Sequence, residues 1–279
     1  MGNSRLSIVI GSGGVLCAAS LGFMKALRRE GLTPGLAVGC SGGSIYASII
    51  ALGVDPVEAE RLTLQLFTSD VFEGYTSNLK SALTGETRFT ETSSLIDDSV
   101  MYERLKSVFG EKTFADTVFP LHIVATDLYT GERVVISSGK LLDAIRASIA
   151  IPMIFSPWKI GERLLVDGAV CDPLPIDVAI QQGSDVIAAV GFEMPTRKRM
   201  NSYTAVTTHF NSLYMNNILK STFAFYNAVH HAEIIPILPV FEKPVGTFDT
   251  QQIPYIIQQG EKASEECIAY IKRLVTRPA

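Results

Sequence analysis

The stretch Leu36-Ala-Val-Gly-Cys-Ser-Gly-Gly-Ser44 sets Ser41 in a Gly-x-Ser-x-Gly frame, between an apolar run and a run of helical character. A serine in that frame sits on a tight strand-to-helix turn, where side chains at positions 39 and 43 would strike the backbone and bury the hydroxyl. The spacing predicts a strand ending at Cys40 and a helix over Gly42 to Leu52. Such a helix aims its first N–H groups and its positive dipole end at charge developing near Ser41.

About thirty residues upstream, Leu6-Ser-Ile-Val-Ile10 reads as a buried strand that runs into Gly11-Ser-Gly-Gly-Val15, with a helical pattern continuing through Arg29. If these two strands lie side by side in a parallel sheet, both glycine turns open at its carboxyl edge, where α/β proteins place their sites. The backbone N–H groups of Gly13, Gly14 and Val15 are then candidates for an oxyanion hole facing Ser41. A dinucleotide-binding loop is the competing reading. It fails at its last glycine, which is Leu16, and no acidic residue closes Leu36 to Cys40 to hold a ribose.

A third element, Leu164-Leu-Val-Asp-Gly-Ala169, is an apolar strand ending in an acid on a sharp turn. Burial would raise the pKa of Asp167 enough for it to take the serine proton as the hydroxyl attacks. The alternative is an ordinary Asp-Gly turn. A Ser-His-Asp triad must also be weighed against the four histidines, His122, His209, His230 and His231. His122 opens a strand over Leu121 to Ala125, and the other three lie in or near a long helical stretch rather than a glycine-flanked loop. A dyad of Ser41 and Asp167 is therefore the preferred reading.

Glycine loop, Gly-x-Ser-x-Gly and Asp-Gly-Ala, in that order, resemble the motifs of the patatin-like phospholipases. Phe23-Met-Lys-Ala-Leu-Arg-Arg-Glu-Gly31, Ala125-Thr-Asp-Leu128, Ala144-Ile-Arg-Ala-Ser148 and Asp172-Pro-Leu-Pro-Ile-Asp-Val178 extend the likeness over most of the chain. The resemblance implies a three-layer α/β/α sandwich with a mainly parallel central sheet. It implies a lipid acyl hydrolase, of lipase, phospholipase A or esterase type, with a Ser-Asp dyad and neither metal nor other cofactor. By position Ser41 matches the nucleophile, Asp167 the base, and Gly13 and Gly14 the oxyanion loop. The chain departs from the pattern at Leu16, where the family carries Arg. Loss of that guanidinium is expected to disfavour anionic head groups while leaving the backbone donors in place.

With 279 residues and 47% hydrophobic side chains, the chain can bury a large core, and no linker or charge run divides it, so 1–279 reads as one domain. A net charge of −4 excludes the electrostatic footprint of a nucleic-acid binder; Arg197-Lys-Arg199 reads as a solvated loop after a strand over Asp185 to Phe192. Four widely spaced cysteines, with no C-x-x-C pair, fit a reduced, cytoplasmic protein. Cys40, beside Ser41, reads as packing.

Leu6 to Met24 is uncharged, but its glycines and its use as strand, loop and helix argue against a membrane span or signal peptide, so any membrane contact is expected to be peripheral. Leu62 to Leu83 and Tyr203 to His231 carry scattered large apolar residues. Each is open to three readings: a cap packed on the core, a lining for an acyl chain or contact with a lipid surface, and a homodimer face. Asp249 to Leu274 reads as one closing amphipathic helix. Two other functions stay open: esterase or thioesterase chemistry on neutral short-chain substrates, and a non-catalytic lipid-binding or scaffold protein of the same fold.

Overall fold

Short aliphatic runs, each one strand long, account for the sheet. In the computed structural model, which describes residues 6–72, 75–84, 88, 90–243, 245–246 and 249–276, these are β1 (Leu6–Ile10), β2 (Leu36–Cys40), β3 (Leu121–Asp127), β4 (Arg133–Ile136), β5 (Trp158–Ile160), β6 (Arg163–Asp167), β7 (Val186–Val190) and β8 (Glu233–Ile237). They form one mixed sheet in the order β5-β6-β3-β2-β1-β7-β8, with β4 paired to β3. β3, β2, β1, β7 and β8 run parallel, and β1 and β2 are neighbours in the register Ile10 to Gly39. β4 and β6 run antiparallel to β3, and β5 antiparallel to β6.

Alternation along the strands splits the core in two. Ile8, Ile10, Ala37, Ala188, Val190 and Ile235 face one layer of helices, while Val9, Val38, Cys40, Ile187, Ala189 and Ile234 face the other. Parallel strands buried on both faces read as continuous apolar runs, as β1 and β7 do. The helices are α1 (Ala19–Arg29), α2 (Gly42–Ala51), α3 (Pro56–Leu66), α4 (Tyr75–Thr84), α5 (Asp98–Phe109), α6 (Leu141–Ser148), α7 (Ile176–Gln181), α8 (Tyr203–Val229), α9 (Ile253–Glu265) and α10 (Ile268–Thr276). α1, α2, α9 and α10 bury side chains in the first core, and α7 and α8 in the second, which makes the three layers. The α/β/α sandwich is as expected.

Three local readings are corrected. The closing helix is two, α9 and α10, separated at Glu266 and Cys267. The strand expected over 185–192 is shorter, Val186–Val190, although the Gly191 N–H still donates to the Ile237 carbonyl of β8 at 3.0 Å. The glycine loop enters α1 through a 3-10 turn, Gly14–Ala18, rather than directly.

α1 and α9 cross at two glycines. A Cβ on Gly22 would lie 2.2 Å from the backbone nitrogen of Glu261, and one on Gly260 would fall on the carbonyl oxygen of Ala19. Only backbone hydrogen fits there, and that close crossing seats the start of α1, and with it the glycine loop, against the core.

Candidate active site

β2 delivers Ser41 to the carboxyl edge in a backbone conformation, φ 54 and ψ −132, that side chains rarely adopt. Its surroundings hold it there. Cβ atoms at Gly39 and Gly43 would lie 2.6 Å from Ser44 Cα and 2.3 Å from the carbonyl oxygen of Ile10, so the elbow closes only with glycine on both sides. The Ser41 N–H donates to Ser148 Oγ at 2.9 Å, and that hydroxyl donates onward to the Val124 carbonyl at 2.6 Å. Ser148, at the end of α6, thus ties the elbow to β3.

β6 reaches the same edge from the antiparallel side, with Asp167 opposite Ala125. The Ser41 hydroxyl donates to Asp167 Oδ2 at 2.6 Å, and the Ala169 N–H donates to Oδ1 at 2.8 Å. Both carboxylate oxygens therefore have donors. Thr126 Oγ1 donates to the Asp167 carbonyl at 2.9 Å, and the Asp167 N–H donates to the Ala150 carbonyl at 2.9 Å. Gly168 follows because a Cβ would fall 2.3 Å from the Val124 carbonyl oxygen; the Asp-Gly pair marks a close backbone approach as well as a turn. Burial raises the Asp167 carboxyl from 3.8 to about 7, against the opposing effect of the Ser41 and Ala169 donors.

The histidines do not take part in these hydrogen bonds. His209 Nδ1 accepts from the Arg197 N–H and His230 Nδ1 from the Ala232 N–H, both on the outer side of the molecule. Cys40 is buried and points to the second core, as its packing role requires. Cys17 lies closer to the chemistry, under the glycine loop, where its thiol donates to the Gly11 carbonyl at 3.3 Å and burial pushes its pKa up.

The glycine loop stands beside the elbow. Gly14 and Val15 share the wall of a pocket with Ser41 and Gly42, and Gly14 approaches Gly42 so closely that a Cβ on Gly42 would lie 2.6 Å from its carbonyl oxygen. Gly13 sits one step behind, against the Phe192 ring and Cys17. Among the described residues no acceptor is found for the N–H groups of Gly13, Gly14 and Val15. Leu16 packs wholly inside the core and is absent from the pocket wall. Its side chain therefore makes no contact with the pocket itself.

The pocket is open to solvent, and Val15, Ile45, Phe67, Met101, Ile149 and Phe155 make its wall apolar. Of these, Phe67 lies in the region singled out for an acyl lining; Met101, Ile149 and Phe155 carried no sequence signal of their own. A part-buried ion pair braces two sides of it: Arg146 donates to Asp98 Oδ2 at 2.6 Å and to the Ser156 carbonyl at 3.1 Å. The guanidinium also lies 5.5 Å from the Phe155 ring centre. Asp98 begins the helix that carries Met101, so one buried arginine relates both walls.

Residues 8–180 match the family model of patatin-like phospholipases, and the chain belongs to that family. An uncharacterized NTE family protein of Mycobacterium bovis is 28% identical over 229 residues, which cover 80% of this chain and 58% of the relative. Patatin-like phospholipase domain-containing protein 7 of Mus musculus is 26% identical over 67% of this chain but only 13% of its own length. The chain thus spans little more than half, or much less, of the curated relatives it matches. Among solved structures, human GIVD cytosolic phospholipase A2 in complex with methyl gamma-linolenyl fluorophosphonate superposes with a TM-score of 0.53 at 12% identity, over 98% of this chain and 59% of that one. VipD from Legionella pneumophila superposes at 0.52 with 13% identity, over 96% and 67%. These likenesses establish the fold.

Proposed function

We propose that this chain is a serine acyl hydrolase that cleaves lipid acyl esters through Ser41 and Asp167. The observation that carries the reading is the 2.6 Å hydrogen bond between them, made by a serine on a strained elbow over an apolar pocket. Ser41 Oγ attacks the ester carbonyl as its proton passes to Asp167 Oδ2, whose raised pKa makes it a competent base near neutrality. In this reading the N–H groups of Gly13, Gly14 and Val15 would receive the oxyanion, and an oxyanion donor typically contributes about 3 kcal/mol. Collapse expels the alcohol, which takes the proton back from Asp167, and leaves the acyl group on Ser41. A water activated by the same carboxylate then releases the acid.

The pocket wall favours a second, narrower reading on the same chemistry. Phe67, Met101 and Phe155 line it and no charged side chain does, which suits neutral acyl esters or thioesters. A fluorophosphonate probe tests the common core. Labelling that maps to Ser41 and disappears in Ser41→Ala supports the hydrolase; folded protein that resists the probe indicates a lipid-binding or scaffold role. A panel of esters graded in chain length then separates the two substrate readings.

A further inference from the structure

Most surface helices are apolar on one face only, but α8 is apolar on two. Ala205, Ser212, Leu219 and Phe223 are its buried positions. At about 100° per residue, Tyr203, Val206, Phe210, Tyr214, Ile218 and Phe225 fall on the opposite side and follow one another at steps of three, four and seven. They are exposed: Phe210 by 50%, Tyr214 by 64% and Phe225 by 58%. The helix contains no Asp or Glu and one Lys.

Its position is as telling as its composition. Leu219 and Phe223 pack over Gly191, just beyond the end of β7, and the Asn216 amide holds the Met194 backbone from both sides, at 2.7 and 3.0 Å. The helix runs from there toward Glu233 at the start of β8, the amino edge. The turns before Asn216 therefore stand beyond the carboxyl edge, by about 20 Å of helix, on the same edge as Ser41. Met215 and Leu219 join Ser12 and Phe192 around a small cleft behind the glycine loop. Immediately before this overhang lies Arg197-Lys-Arg199, all exposed. Glu193 is the nearby acid, and it is paired with Lys220 at 3.5 Å.

We infer that the overhanging first turns of α8, with Phe210 and Tyr214 on their outer side, dip into an anionic lipid surface and seat the carboxyl edge on it, with Arg197, Lys198 and Arg199 at the head groups. An apolar stripe flanked by cations and free of acids is the chemistry that such a surface recognises. This deepens the acyl-hydrolase reading, because it presents Ser41 to the phase in which its substrate would reside.

The test is co-sedimentation of the whole chain with vesicles of phosphatidylcholine, alone or mixed with phosphatidylglycerol. The native protein should partition onto the mixed vesicles. Phe210→Ser with Tyr214→Ser should weaken that partition roughly tenfold, and reversing the charges at 197–199 roughly a hundredfold at low salt. Circular dichroism confirms that each variant is folded. Turnover of a water-soluble nitrophenyl ester should stay unchanged in both, so loss of docking is distinguishable from loss of catalysis. The inference is overturned if native protein ignores mixed vesicles, or if the variants bind as well as it does. It is equally overturned if native protein is a dimer in solution that the Phe210 and Tyr214 changes dissociate, since a second copy would then cover the face.

Discussion

The elbow at Ser41 and the outer face of α8, whose first turns overhang the same edge of the sheet, obey opposite rules. Around Ser41, Gly39, Gly42 and Gly43 are held to glycine by a backbone atom within 3 Å of the missing Cβ, and each polar group of Ser41 and Asp167 has a partner. On α8, large apolar side chains such as Phe210, Tyr214 and Phe225 are half or more exposed to solvent. The contrast teaches that strain and burial mark a place where the chain does chemistry, whereas unspent apolar area marks a place where it meets something else.

The sharpest way to break the comparison is at the serine. Ser41→Ala should lower ester turnover about ten-thousand-fold without loss of folding, since it deletes only the attacking oxygen. Residual activity above about a thousandth of native would mean that another nucleophile works here and that the strained elbow is structural. Asp167→Asn comes next, with an expected loss of about a thousandfold, while single His→Gln changes at 122, 209, 230 and 231 should keep most activity.

The carboxylate also supplies a pH signature. Only ionised Asp167 can accept the proton, so kcat/KM for a soluble ester should climb with pH and level off above about 7. The stability linkage has the opposite sign. Because the folded pKa lies above the ordinary 3.8, the native state holds its proton longer, and folding loses stability as pH rises from about 4 to about 7. Asp167→Asn escapes that cost. It should melt at or above the native temperature at pH 8, with the advantage fading toward pH 4. A variant that is less stable at every pH would show that the carboxylate is mainly a structural hydrogen-bond acceptor.

Gly260→Ala probes strain away from the site. The new methyl would fall on the Ala19 carbonyl, so α1 and α9 must part, at a cost of about 3 kcal/mol. A drop in melting temperature of several degrees is expected, with fluorophosphonate labelling retained in the folded fraction.

What was readable from the sequence follows the same division. The elbow, glycine loop and Asp-Gly pair were legible because close backbone approach admits only glycine, and that requirement leaves a pattern at fixed spacing. The parallel order of β1 and β2 was legible because both runs are apolar on both faces. Ser148 closes one of the stretches that carry the resemblance, but its role was not legible, since one serine at the end of a helix carries no spacing signal; only the fold brings it to the Ser41 N–H. Met101 and Phe155 escaped for the same reason: an apolar residue facing a pocket is indistinguishable in sequence from one facing the core. At Leu16 the departure from the motif shows that a side chain changed, not where it points, and the fold turns it into the core. The break at Glu266 and Cys267 lies inside a continuous helical pattern, where periodicity is silent about so short an interruption.

Ser148→Ala should have an intermediate effect. It leaves the Ser41 N–H and the Val124 carbonyl without their shared partner, worth about 1–2 kcal/mol of stability. If that hydroxyl fixes the elbow, kcat should fall roughly tenfold with KM little changed. An equal change in both constants would assign Ser148 to packing.

The smallest effect is expected on α8, and it closes the comparison from the other side. Phe225 is 58% exposed and lies past the anchoring Asn216, on the outward side, with its ring edge-on to the adjacent Tyr226. Replacing it by Ser removes a side chain that stands mostly in solvent, so stability should change by no more than about 0.5 kcal/mol. The same substitution at Phe223, two positions earlier and buried against Gly191, removes core and should cost about 3 kcal/mol. Chemical denaturation of the two variants side by side measures the difference directly. If Phe225→Ser destabilises the isolated chain as much as Phe223→Ser, the outer face is covered in solution, and the division between a strained edge that reacts and an open edge that docks no longer holds.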